Sequence, residues 1–278
     1  MLRSMITATN TMGQLQKQLD TIGHNLANID TQGYKREQTA FSELVRQQFN
    51  NQTDAEAEIG RFGTELGITQ GTGARLNSSL VFSQGTLKQT GRSLDIAFTS
   101  PNQLLQIDVD GETQYTRDGS LYLSPTADGT NRLQLTTAEG RNVLDENGNP
   151  IIFEENFKEI QISQDGTVTA VPNNDNDLPQ VFGLGVVQVD RPQLLVQAGN
   201  NRYSLSENLG NVQLDEIFTY LEGALRGEVS MQQGALEMSN VDLSKEMTDM
   251  MVSQRSYQMN AKTITMGDQM MGLINGVR

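Results

Sequence analysis

The sequence predicts an α+β chain, mainly β, whose N- and C-terminal helices pair as a coiled-coil-like stalk around a central antiparallel β domain of many short strands. Three observations carry this reading. An apolar heptad runs through residues 5–29, a second long helical pattern fills residues 241–275, and the chain between residues 74 and 203 breaks into short β-like runs punctuated by Asp-Gly and Asn-Gly pairs. The boundaries that follow are a helix and turn over 1–35, a polar arm or linker over 36–74, a β-rich centre over 75–230 and a C-terminal helix over 231–278.

The first heptad reads Met5, Ala8, Met12, Leu15, Leu19, Ile22, Leu26 and Ile29, in alternating steps of three and four. A helix with this repeat carries a narrow apolar seam that needs a partner helix. No Pro interrupts it, and Gly13 and Gly23 lie off the seam. The run Asn28-Ile29-Asp30-Thr31-Gln32-Gly33-Tyr34-Lys35 favours a turn through side-chain–backbone bonds and positive φ, so the helix should stop there. Residues 36–50 place apolar side chains at Phe41, Leu44, Val45 and Phe49, which suits either a short helix or an extended arm. Residues 50–74, rich in Gln, Asn, Thr, Glu and Gly, read as a long exposed loop.

Candidate strands then follow at 80–82, 94–99, 104–109, 114–117, 121–124, 133–136, 151–153, 160–163, 168–171 and 185–189. Between them stand Asp110-Gly111, Asp118-Gly119, Asp128-Gly129, Asn147-Gly148 and Asp165-Gly166, dipeptides that signal hairpin turns when strand-like residues flank them. Residues 172–180 form a polar loop, 190–210 look irregular with a strand near 201–205, and the spacing of Val212, Ile217, Tyr220, Leu221 and Leu225 predicts a short helix over 212–226. One echo links the two ends of this region: Gln84-Gly85-Thr86-Leu87-Lys88-Gln89-Thr90 matches Gln233-Gly234-Ala235-Leu236-Glu237-Met238-Ser239. The echo predicts that these segments lie side by side at the base of the β domain.

The C-terminal helix carries a seam of Leu243, Met247, Met250, Gln254, Tyr257, Ala261, Ile264 and Met271. A second stripe, Val252, Met259, Met266 and Leu273, recurs every seven residues. A helix with two apolar stripes is buried on more than one side and needs more than one neighbour. Its methionines, being unbranched, suit irregular packing. Packing between subunits is the expected use, with Met5, Met12, Leu15, Leu19, Ile22, Leu26, Ile29, Met247, Met250, Tyr257 and Ile264 as the assembly seam.

Composition narrows the function. Only 36% of the 278 residues are hydrophobic and 5% aromatic, which predicts small cores spread along the chain. Cysteine is absent, which excludes disulfides, thiolate metal sites and Cys catalysis. The net charge of −14 is uneven. Residues 1–40 carry four basic and three acidic side chains and residues 240–278 carry four of each, so the excess negative charge lies in the middle. Near-neutral ends suit self-association, whereas an acidic body argues against nucleic acid and anionic membranes. No apolar run approaches the roughly 18–20 residues of a membrane span. The N-terminus lacks the basic region and unbroken apolar core of a cleavable signal peptide, so none is expected.

Catalytic, cofactor and metal sites are not expected, nor is a small-molecule substrate. His24 is the only histidine and lies off the seam; without Cys or clustered carboxylates it builds no metal site, and no nucleophile turn accompanies it. The glycines of 67–73 lack the Lys-Ser/Thr ending of a phosphate loop and read as a flexible loop. Asp108-Val109-Asp110-Gly111-Glu112 and Asp145-Glu146-Asn147-Gly148 do not keep calcium-loop spacing and read as hairpin turns.

Asn25-Leu26-Ala27-Asn28-Ile29-Asp30-Thr31-Gln32-Gly33-Tyr34-Lys35 near one end and Ser239-Asn240-Val241-Asp242 near the other resemble segments of the flagellar basal-body rod and hook axial proteins. Asn25, Ala27, Asn28, Thr31, Gly33, Tyr34 and Lys35 are similar to that family's N-x-A-N-x-x-T-x-G-[FY]-K signature. Ser239, Asn240, Val241 and Asp242, followed by Glu246-Met247, Gln254-Arg255, Tyr257, Asn260 and Lys262, resemble its C-terminal helix. Segments 82–87, 94–97 and 115–120 are similar to rod-protein segments as well. Chain length and segment order are most similar to the distal rod protein or a close rod paralogue. Two positions depart: His24 stands where Asn is usual, and 190–226 follow the family loosely.

The resemblance implies a structural subunit that is exported through the flagellar type III apparatus and joins copies of itself and neighbouring rod and hook proteins in the basal body. There it would build a torque-transmitting helical tube, with terminal helices inside and β domain outside. A hook-type axial protein, a β-domain binding module with a helical oligomerisation stalk, and a cell-wall carbohydrate enzyme are the competing expectations.

Overall fold

The computed structural model describes residues 2–43, 46–50, 67–71, 74–126, 132–154, 157–174, 178–205 and 213–276. The chain divides into two compact units. One gathers residues 1–24, 38–78 and 243–278; the other gathers residues 25–37 and 79–242.

The second unit holds the β structure. A ten-stranded antiparallel sheet runs β12 (Ile152–Glu154), β10 (Arg132–Thr137), β11 (Asn142–Val143), β7 (Gln103–Val109), β8 (Glu112–Thr116), β18 (Arg202–Leu205) and β17 (Leu195–Gly199). Beside this path, β16 (Val186–Val189) pairs with β7 and β19 (Phe218–Tyr220), and β9 (Leu121–Pro125) pairs with β10. A separate sheet contains β13 (Phe157–Ile162), β14 (Thr167–Pro172) and β15 (Gln180–Gly183). Each candidate strand between 94 and 189 overlaps an observed one. The candidate at 80–82 shares only Leu80 with β4 (Ala74–Leu80), which ends where it was expected to begin.

Strand β7 explains why the unit has two cores. Leu105, Ile107 and Val109 face one cluster with Phe98, Leu135, Phe153, Val168 and Val186. Leu104 faces the other with Tyr115, Val187, Val189, Tyr203 and Phe218. The period-two alternation of a strand sends successive side chains to opposite faces, and here both faces are covered. Each such buried aliphatic or aromatic side chain contributes about 1.5–3 kcal/mol of transfer free energy. The rings of Tyr115 and Phe218 stack at 4.2 Å between centroids, and Phe153 meets Phe182 edge-on at 5.3 Å.

The turn dipeptides divide by geometry. Asp110 and Gly111 both take positive φ (54° and 90°), the conformation of a two-residue type I′ hairpin, and close β7 onto β8. Asp165-Gly166 closes β13 onto β14. Asp145 Oδ1 accepts the backbone N–H groups of Asn147 and Asn149, so this carboxylate organises a turn. Asp118-Gly119 differs from expectation. No hairpin forms there, since β9 pairs with β10 and not β8. A Cβ at Gly119 would instead strike the Ile96 carbonyl oxygen, so the glycine permits a close crossing of two backbones. Asp128-Gly129 lies outside the described residues.

The helix expected over 212–226 is not an α-helix in its described part, and Val212 lies outside the described residues. Residues 213–226 contain a 3-10 turn over Leu214–Glu216, strand β19, and the start of a second 3-10 stretch over Gly223–Glu228. Ile217 and Leu221 mimic helical spacing but are buried, with Phe218, because β19 pairs with β16 and the chain then bends inward. The irregular stretch at 190–210 contains a second tight hairpin, β17–β18, with Asn200 and Asn201 at φ 49° and 54°. Asn tolerates this left-handed conformation better than most residues.

The echoing segments do lie side by side. Strand β21 (Ala235–Glu237) pairs with β5 (Leu87–Gln89), and β20 (Met231–Gln233) pairs with β6 (Ile96–Phe98).

The other unit contains both long helices, α1 (Leu2–Ala27) and α2 (Leu243–Gly276), whose first and last residues define the terminal elements. It also contains most of β1 (Glu37–Glu43), which pairs with β4, and the hairpin of β2 (Arg46–Asn50) with β3 (Gly67–Gly71). Within 36–50 the chain is therefore extended over 37–43 and 46–50, while Leu44 and Val45 lie outside the described residues. The loop expected over 50–74 and the flexible glycine loop at 67–73 are corrected in part, because 67–71 form a ladder with 46–50; residues 51–66 and 72–73 lie outside the described residues.

Candidate functional site

Within the first unit, α1 and α2 touch along antiparallel faces. Ser253 Oγ bonds Gln18 Oε1 at 3.0 Å, and a Cβ at Gly267 would sit 3.0 Å from Met5 Cγ. That register brings Ala8, Leu15 and Ile22 level with Ile264, Tyr257 and Met250. Ala8, Leu15 and Ile22 are buried, each seven residues from the next. The alternate seam positions Met5, Met12, Leu19, Leu26 and Ile29 are only half-buried. On α1, Gln14 Oε1 also accepts the backbone N–H of Leu76.

On α2 the buried positions are Glu246, Ser253 and Gly267, with Met250, Tyr257, Asn260, Ile264 and Met271 half-buried beside them. This is a heptad face, but one half of it is polar or small. Small residues let two helices approach closely, and Gln18–Ser253 makes the contact specific. Met247 and Leu243, expected in the seam, point outward. So do Met251, Val252, Met259, Met266, Met270, Leu273 and Ile274; Met259 is 69% exposed and Leu273 70%. The predicted second stripe therefore lies bare on a different side of α2 from α1.

In the second unit, the two sequence motifs meet. Glu237, at the end of β21, is fully enclosed. Its Oε1 accepts Lys35 Nζ at 2.7 Å and the backbone N–H of Gly85 at 2.8 Å. Its Oε2 accepts Arg117 Nε at 2.6 Å. Lys35 Nζ also donates to the Ser83 carbonyl, and Arg117 donates to the carbonyls of Ser100 and Gln103 while lying over the Phe98 ring. The triad carries one net positive charge in a site closed to water. Burial first, then the Arg117 guanidinium, pulls the Lys35 ammonium down to about 8, against the opposing pull of Glu237. Arg117 is also lowered, by burial, with Glu237 opposing.

Backbone and amide groups complete this clasp. Asn240 accepts the Arg36 N–H through Oδ1 at 2.7 Å and donates through Nδ2 to the carbonyls of Val81 and Ser83. Asn25 donates to the Glu37 carbonyl and accepts both the Glu37 N–H and the Tyr34 hydroxyl. Gly33, at φ 69°, donates its N–H to the Glu237 carbonyl; a Cβ there would lie 2.7 Å from the Arg117 carbonyl carbon. Thr31 donates to Asn28 Oδ1, and Ser239 Oγ accepts the Val241 N–H. Ala27 and Asp242 stand exposed at the margins.

The motif residues thus act through geometry. They tie the turn after α1 to the segment before α2, across 202 residues of chain. Sequence reasoning did not single out Glu237 or Arg117 as site residues. The echo around Glu237 and the Tyr115-Thr116-Arg117-Asp118-Gly119-Ser120 similarity were the available signals. Among the described residues, no group of three or more His, Asp or Glu side chains is arranged to hold a metal ion. His24 is exposed on α1.

Comparison with known proteins places these features in context. Residues 5–35 match the family described as flagella basal body rod protein, residues 103–170 the flagellar hook protein FlgE/F/G D1 domain, and residues 232–277 the flagellar basal body rod FlgEFG protein C-terminal region. The chain is 52% identical over 279 residues to the flagellar hook-basal body complex protein FlhP of Bacillus subtilis, covering all of both chains. It is 33% identical to the flagellar basal-body rod protein FlgG of Bacillus subtilis, over 98% of this chain and 97% of that one. It is 31% identical to FlgG of Borreliella burgdorferi, over 100% and 99%.

Proposed function

Because this chain belongs to the flagellar basal-body rod and hook family of axial proteins, and is a structural subunit rather than an enzyme, we propose that it polymerises through its terminal helices into a rod segment that transmits torque. Its partners in this reading are copies of itself and neighbouring rod and hook proteins in the basal body of the cell envelope. It reaches that site through the flagellar type III export apparatus.

The observation that carries the reading is the bare apolar stripe of α2. One side of α2 meets α1, and the stripe of Val252, Met259, Met266 and Leu273 stays more than half exposed among the described residues. A row of exposed large apolar side chains on one helix marks an interaction site. Repeated contacts between unlike faces of identical subunits give open helical filaments when the rotation does not close. The assembly seam is then two seams, the α1–α2 face within a subunit and the methionine-rich face between subunits.

Electron microscopy of the concentrated protein tests this. The wild-type chain is expected to form tubes or filaments. Met259→Lys with Met266→Lys, both on exposed positions, should remove them while leaving the thermal unfolding of the β unit unchanged. Filaments from the double variant at wild-type density would contradict the reading.

A further inference from the structure

The exposed side chains of α2 carry an unusual concentration of oxidisable sulfur. The chain has twelve methionines and no cysteine, so thioethers are its only sulfur groups. Seven methionines lie in α2, and five of them, Met247, Met251, Met259, Met266 and Met270, are 47–69% exposed. Elsewhere, Met231 is 2% exposed within the β unit. A leucine or isoleucine would serve a purely apolar stripe as well, and would resist oxidants.

We propose that these five methionines are a peroxide-reactive modification site, and that their oxidation blocks subunit assembly. The proposal rests on the assembly reading given above. In each event the thioether sulfur gains one oxygen from a hydroperoxide, the O–O bond breaks, and the peroxide leaves as water or an alcohol. The sulfur is oxidised and the peroxide reduced, with no other reactant. The product sulfoxide is polar and strongly hydrogen-bond accepting, so a stripe suited to burial becomes one that favours water. Burial in a filament shields the same sulfurs, so the free subunit is the reactive form. Methionine sulfoxide reductases reverse the change.

Full-length monomer is exposed to hydrogen peroxide, the modified sites are mapped by peptide mass spectrometry, and assembly is followed by sedimentation and electron microscopy. The five α2 methionines should oxidise before Met231, and the oxidised chain should lose assembly. Reductase treatment should restore it. A variant with Met247, Met251, Met259, Met266 and Met270 changed to Leu should assemble equally with and without peroxide. Normal assembly of the oxidised chain would overturn the proposal, as would oxidation of Met231 at the same rate, or failure of the reductase to restore assembly of a chain it has returned to thioether. If the leucine variant does not fold, the reductase arm on the native chain decides. An untreated chain that never assembles counts against the assembly reading instead, and the order of oxidation then decides the site assignment alone.

Discussion

Glu237 is the carboxylate on which two buried cations converge, and its loss should cost more than the loss of either. Glu237→Gln leaves Lys35 and Arg117 facing each other without a counter-charge. Breaking a buried pair in this way costs about 3–5 kcal/mol, which chemical denaturation would measure. Lys35→Met removes one cation and leaves the Arg117–Glu237 pair intact, so its cost should be smaller, about 1–3 kcal/mol from lost charge-assisted hydrogen bonds. The Lys35 ammonium also sets a pH dependence. Its folded value of about 8 lies below the ordinary 10.5, so between these values the unfolded chain holds more protons than the folded one. Stability contributed through Lys35 therefore rises as pH increases through that window. The difference in unfolding free energy between wild type and Lys35→Met should shift in favour of wild type from pH 8 to pH 10.5; a shift the other way would show that Glu237 outweighs burial.

The elements differ in how legible they were. The heptad of α1 and the short strands could be read because their burial follows apolar periodicity. The face that α2 turns to α1 could not, since Glu246, Ser253, Asn260 and Gly267 work by close approach and hydrogen bonding, which no hydrophobic pattern reports. The helix read over 212–226 fails for the opposite reason: its apolar spacing is helical, yet sheet pairing at 218–220 decides its fate. The clasp was visible as two motifs, but the carboxylate joining them was not, because a buried Glu reads in sequence like an exposed one.

Glycines give the sharpest tests at this scale. Gly33→Ala should destabilise the protein by about 2–4 kcal/mol, from left-handed backbone strain together with the clash at Arg117. Gly13→Ala and Gly23→Ala lie in the interior of α1 with nothing within 4 Å of a Cβ. Each should stabilise the helix by about 0.5–1 kcal/mol, seen as increased helicity by circular dichroism of the monomer.

At the scale of the whole molecule, the two compact units have different sources of stability. The unit of residues 25–37 and 79–242 has two apolar cores, a ten-stranded sheet and the clasp that joins its ends. A chain of residues 25–242 should therefore keep a cooperative calorimetric transition without most of α1 and without α2. The helices, in contrast, bury a narrow face against each other and leave apolar surface bare, and such helices are marginal in water without further packing. The central claim is that neighbouring subunits complete them. Amide hydrogen exchange on dilute monomer and on assembled filament tests it most directly. Residues 5–22 and 247–274 should exchange rapidly in the monomer and slowly in the filament, while β7 and β8 stay protected in both. Full protection of both helices in the dilute monomer, unchanged on assembly, would contradict the account.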